Sequence, residues 1–188
     1  MNKMKVIGID PSLRNFGIAY GWIDLDSMEF GVDKLNLTTT EKAKTKTTRK
    51  NCDDLDRARI LYEALKDAEK EARIAFVEMP VGSQSASAML SYAVCIAMIA
   101  TLDIPVIQLT PREVKEASVG DKNATKQEMI DWASTRFPAL NWLRVGKSGT
   151  GRLIGDNEHL ADAVATINAG LFNPEFLAIV AMMKRMAA

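Results

Sequence analysis

Val6-Ile7-Gly8-Ile9-Asp10 places three β-branched residues around a glycine, ends in a carboxylate, and is followed at once by Pro11 and Ser12. β-Branched side chains fit a pleated, buried strand, and proline with serine forces a turn. Asp10 therefore stands at the mouth of a strand, where a sheet presents ligands. A second strand, Ile74-Ala75-Phe76-Val77, runs into Glu78 and is stopped by Pro80. Near the C-terminus, Glu158-His159-Leu160-Ala161-Asp162 reads as helix, and His159 and Asp162, three positions apart, share a face of it.

Outward from these stretches, Lys5–Asp10, Phe16–Ile23 and Met28–Leu37 read as three strands with short links, an antiparallel meander. Leu55–Arg73 has apolar residues at helical spacing (Leu55, Ala58, Ile60, Leu61, Ala64, Leu65, Ala68) and a charged opposite face. After Glu78, Val81–Ser87 is a Gly/Ser loop, and Ser87–Leu102 is a helix of small residues and methionines, apolar on most sides and so expected to bury two faces. Pro105–Leu109 is a fifth strand. Thr110-Pro111-Arg112-Glu113 and Thr125-Lys126-Gln127-Glu128 each carry capping-box spacing and open helices, the second running to about Arg136. Phe137–Gly155 is an irregular loop; Asp156 is placed to cap the helix carrying His159 and Asp162, which ends near Gly170, and Pro174–Met186 is a last helix. The helices between strands three, four and five are crossover connections, so strands four and five are expected parallel to part of the sheet. The expected fold is α/β, one mixed five-stranded sheet flanked by helices, in a single domain spanning 1–188.

The bulk composition narrows the function classes. The 188 residues carry 47% hydrophobic and 26% charged residues and no net charge. There is no global basic field, so any nucleic-acid binding must use local patches. Two cysteines, Cys52 and Cys95, give no disulfide framework and fit a reducing, cytoplasmic setting. No secretory hydrophobic region follows the N-terminus, and the longest apolar run reads as a buried helix.

Asp10, Glu78, His159 and Asp162 are the candidate metal ligands. Mg²⁺ takes oxygen ligands and keeps several waters, so a few converging carboxylates suffice. Two such ions about 4 Å apart can activate water and stabilise the leaving oxygen of a phosphodiester. Asp10 can bridge both ions, Glu78 and Asp162 can each complete one, and His159 can ligate, better with Mn²⁺, or shuttle a proton. Glu158 points about 100° away from His159 on a helix and is a weaker candidate. Lys115, Lys122 and Lys126 either line a phosphate path beside the metals or are solvated helix ends. Thr38–Lys50, with six threonines and the cations Lys42, Lys44, Lys46, Arg49 and Lys50, is either a solvated loop or a flexible arm that meets phosphates.

Together, Gly8-Ile9-Asp10-Pro11-Ser12, the strand ending in Glu78, Val114-Lys115 with Val119-Gly120 and Lys126, and His159-Leu160-Ala161-Asp162-Ala163 resemble the RuvC-type Holliday junction resolvases. The resemblance covers about Lys5 to Gly170. It implies a ribonuclease H-like fold and a homodimeric, Mg²⁺-dependent endonuclease that nicks two strands of a four-way DNA junction symmetrically, leaving 5′-phosphate and 3′-hydroxyl. It assigns the metal site to Asp10, Glu78, His159 and Asp162, with histidine at a position that is aspartate in many members. It matches the family's two lysines to Lys115 and Lys126. Ser12 stands where the family usually has glycine. Met79-Pro80-Val81-Gly82 lacks the aromatic wedge expected after the glutamate, and the length of the Thr38–Lys50 segment resembles phage-encoded relatives. A nuclease of broader taste for forks and flaps, and a junction-binding scaffold with a decayed site, are the rival readings. A two-lobed actin-like ATPase does not fit the chain length.

Overall fold

In the computed structural model, which describes residues 3–43, 50–146 and 150–187, one mixed sheet is sandwiched between helices. Its strands are β1 (Lys3–Asp10), β2 (Asn15–Asp24), β3 (Phe30–Thr39), β4 (Ile74–Glu78) and β5 (Val106–Leu109), in the order β3-β2-β1-β4-β5. β1–β2 and β2–β3 are antiparallel, while β1–β4 and β4–β5 are parallel. The helices are α1 (Lys50–Glu69), α2 (Ala86–Ile99), α3 (Pro111–Val119), α4 (Lys126–Arg136), α5 (Asn157–Gly170) and α6 (Pro174–Ala187). The expected meander and crossovers are present.

Strand alternation sorts the core into two layers. Ile7, Ile9, Ala75 and Val77 face α1 and α2, packing with Leu61, Leu65, Cys95 and Met98. Val6, Ile74 and Phe76 face the other way, toward Leu160, Val164 and Ile167 of α5. Helix α5 is the central helix, buried along most of its length. Phe76 meets Phe176 of α6 edge-on, with centroids 5.1 Å apart.

Two glycines let α5 lie directly on the sheet. A Cβ at Gly8 would stand 2.0 Å from the Ala163 carbonyl oxygen, and one at Gly17 would stand 2.2 Å from the His159 carbonyl oxygen. Any side chain there would lift the helix.

Three expectations change. Leu55 and Ile60 of α1 are exposed; its buried stripe starts instead with Asp54 and Arg57 and continues through Leu61, Leu65 and Ala68. The Arg57 guanidinium donates to Asp54 Oδ1 (3.2 Å), Thr40 Oγ1 (2.9 Å) and the Leu13 carbonyl (3.1 Å), so a charge replaces aliphatic packing where three segments meet. Helix α2 buries one face (Cys95, Met98, Ile99), while Met89, Leu90 and Ile96 are exposed. Asp156 sits in helical conformation and makes no capping bond. The head of α5 is held instead by the buried Asn157, whose side chain accepts from Leu143 N–H and donates to the Leu143 and Ile154 carbonyls. Both capping boxes form as expected, at Thr110/Glu113 and Thr125/Glu128. Among the described residues, no single helix is long and apolar enough to cross a membrane.

Candidate active site

Parallel pairing of β1 with β4 matches Ile9 to Val77, so the next residues, Asp10 and Glu78, end neighbouring strands side by side. Alternation puts both on the face that carries Val6 and Phe76, the face covered by α5. The glycine contacts then bring the first turns of α5 against β1 and β2. His159 Nδ1–H donates to Asp10 Oδ2 at 2.6 Å, with side chains 17% and 15% exposed.

Electrostatics couple all four groups. Burial, then the neighbouring Asp162 and Asp10 charges, push the Glu78 carboxyl up to about 9, with Lys115 opposing. Burial and Asp10 push Asp162 up to about 7, against the pull of His159 and Lys115. Burial disfavours the charged His159 imidazole, but the hydrogen bond and field of Asp10, with Glu158 and Asp162, outweigh it and hold the ring above its ordinary value. The cluster is thus short of positive charge: burial favours the protonated form of Glu78 and Asp162, and Lys115 and His159 offset it only in part.

That shortage, and a donor set of three carboxylates and one imidazole, suits a hard divalent cation. Among the described residues, no three His, Cys, Asp or Glu side chains already surround one point closely enough to hold an ion. Asp10 Oδ2 is engaged by His159 Nδ1 at the head of α5.

The candidate lysines divide. Lys115, half-buried on α3, stands in the field of both Glu78 and Asp162. Lys126 lies at the start of α4 and donates to Glu158. Lys122 is exposed in the turn between α3 and α4, with nothing linking it to the acids. Lys44, Lys46 and Arg49 lie outside the described residues.

Glu158 is the site residue that spacing discounted. Its Oε1 lies 3.4 Å from His159 Nε2, so the imidazole has a carboxylate at each nitrogen. Only the packing of α4 on α5, between residues 32 apart in the chain, brings Lys126 to it. Ser12 needs no left-handed backbone: its hydroxyl accepts from the Arg14 and Asn15 N–H groups at 3.3 Å and closes the turn after Asp10. Beside that turn runs a groove of about 700 Å³, lined by Arg14, Thr40, Arg57, Ser91 and Tyr92 among others.

No family model matches the chain. It is 35% identical over 136 residues to the crossover junction endodeoxyribonuclease RuvC of Salinibacter ruber, an alignment covering 67% of this chain and 68% of that protein. The structure resembles Thermus thermophilus RuvC solved with a Holliday junction substrate, with a TM-score of 0.64, 17% identity, and coverage of 90% of this chain and 93% of the other. It also resembles the yeast mitochondrial Holliday junction resolvase (TM-score 0.56, 14% identity, 96% and 83% covered). The shared architecture is the ribonuclease H-like sheet with flanking helices.

Proposed function

The chain belongs to the RuvC family of crossover junction endodeoxyribonucleases, and from that premise we propose that it resolves four-way DNA junctions by paired, symmetric hydrolysis of two strands. The reading is carried by one arrangement: Asp10 and Glu78 at adjacent strand ends, with α5 laid on the same face so that His159 reaches Asp10. Nucleases of this family depend on a divalent metal. Asp10, Glu78, Asp162 and His159 would hold it, as two Mg²⁺ ions or Mn²⁺ in their place, and when bound it supplies an activated water and stabilises the departing oxygen.

The protein's own groups do the remaining work. Lys115, already in the field of Glu78 and Asp162, takes a non-bridging oxygen of the scissile phosphate. Lys126 and Lys122 hold phosphates along the mouth. His159 either ligates the metal or moves a proton; in the second role the proton it shares with Asp10 at Nδ1 passes to the 3′-oxygen as the P–O bond breaks. The groove beside Ser12 and Arg14 offers a path for the flanking strand.

Two symmetric nicks need two sites. A second copy docks on α2, whose outward Met89, Leu90 and Ile96 are exposed large apolar groups. The two cysteines are free thiols, in keeping with action in the cytoplasm. A second reading has one observation in its favour. The segment after Glu78 carries the exposed Val81 and no aromatic, which suits a broader nuclease of forks and flaps.

The test is cleavage of an immobile four-way junction beside forks, flaps and linear duplex, in Mg²⁺ and in Mn²⁺, with the mass measured by light scattering. Paired nicks in the junction by a dimer support the proposal. Equal cleavage of all branched forms supports the second reading, and tight binding without cleavage in either metal refutes both.

A further inference from the structure

Lys126 is assigned to phosphate, yet its ammonium already lies 2.9 and 2.7 Å from the two Glu158 oxygens. The lysine side chain is 79% exposed and the carboxylate 19%. The carboxylate is therefore the fixed partner and the lysine reaches to it. Glu158 is anchored from behind. Its N–H donates to the Gly155 carbonyl at 3.0 Å, and the adjacent Asn157 is clamped to Leu143 and Ile154. Glu158 takes two of the three ammonium N–H donors and offsets the lysine charge, so a phosphate gains the full charge of Lys126 by displacing this carboxylate, an exchange of one anion for another.

Such an exchange selects among substrates. An exposed ion pair is worth up to about 1 kcal/mol, so displacing Glu158 costs roughly two- to five-fold in affinity. A strand already fixed near Asp10 and Asp162 by other contacts presents its phosphate at high effective concentration and overcomes that cost. A duplex resting loosely across the mouth does not. Resting on the functional reading above, we propose that Glu158 is a specificity-determining positioning residue, which occupies Lys126 and yields it only to a phosphate delivered in register with the acidic cluster.

The test measures binding of a four-way junction and of linear duplex in EDTA, across a salt series, for wild type, Glu158→Gln, Lys126→Gln and the double variant. Thermal melts check that each is folded, and Glu158→Ala repeats the key comparison. Glu158→Gln is expected to tighten duplex binding two- to five-fold at low salt and junction binding less, so that the junction/duplex ratio falls. Its salt slope for duplex should steepen by up to ~0.9, the signature of one added phosphate contact. Both gains should vanish in the Lys126→Gln background. A gain that persists without Lys126 overturns this inference alone, because it reports only a lost negative charge. An unchanged ratio and slope in Glu158→Gln overturn it too. Wild-type protein with no preference for junction over duplex overturns the functional reading, and this inference with it.

Discussion

Raising the pH in the absence of metal should weaken the fold, and the cause can be located. The Glu78 carboxyl is raised from 4.5 to about 9 and Asp162 from 3.8 to about 7, both by burial first and then by a neighbouring carboxylate, Asp162 for Glu78 and Asp10 for Asp162. For a carboxyl raised in the folded state, the unfolded chain ionises first. The stabilising contribution is therefore complete below about pH 4 and is lost as pH climbs toward the folded values. His159 acts in the same direction: its raised value adds stability below its ordinary range that disappears at higher pH. At about 1.4 kcal/mol per unit, Glu78 alone loses roughly 3 kcal/mol between pH 4.5 and 7. Asp162 adds to this, but by less than a separate sum, because the two carboxyls share one repulsion. A loss of ~3 kcal/mol corresponds to roughly 6–12 °C in melting temperature for a chain of this size. The assay is thermal melting in EDTA at pH 5, 6, 7 and 8 for wild type and for Glu78→Gln/Asp162→Asn, which leaves nothing to ionise at those two positions. Wild type should lose stability relative to the variant across this range, and Mg²⁺ or Mn²⁺ should restore it most at pH 8. Parallel pH profiles for the two proteins would refute the reasoning, since the strain would then lie elsewhere.

Other perturbations probe other links. Asp10→Asn should abolish cleavage while leaving junction binding largely intact; turnover in that variant, measured on a labelled junction, would remove Asp10 from the proposed metal site. Gly17→Ala drives a methyl into the His159 carbonyl. It should cost about 1–3 kcal/mol in a urea titration and roughly 10²-fold in cleavage rate, because the head of α5 must move. Arg57→Met strips the donors from Asp54, Thr40 and the Leu13 carbonyl and leaves a buried carboxylate unpaired. It should destabilise by about 3–5 kcal/mol in the same titration, and a loss under 1 kcal/mol would mean that water replaces the guanidinium there.

Local chemistry made most of the architecture legible. The capping boxes at Thr110/Glu113 and Thr125/Glu128 need only four residues each, and both formed. Asp10 and Glu78 could be placed at strand mouths because Pro11 and Pro80 end their strands. Features set by tertiary packing could not be read. Leu55 and Ile60 satisfy a helical period yet face outward, because Arg57 takes the inward position through partners on two distant segments. Asp156 looked like a cap, but Asn157 fastens that end through a loop whose path has no sequence signature. Glu158 was discounted on angular grounds. The angle was sound, but a glutamate is long, and α4 packs beside it with Lys126.

The glycine contacts beneath α5 separate two properties that usually change together. Helix and sheet touch there through main chain, and the main chain is the same whatever side chains fill the core. Core side chains away from these contacts can therefore be exchanged, by drift or by design, with little change in the distance from Asp10 to the head of the helix, whereas Phe76, whose ring lies against Gly170 of α5, is tied to the helix position. A library that randomises the core but fixes Gly8, Gly17 and Phe76 should return variants that differ widely in melting temperature and little in turnover.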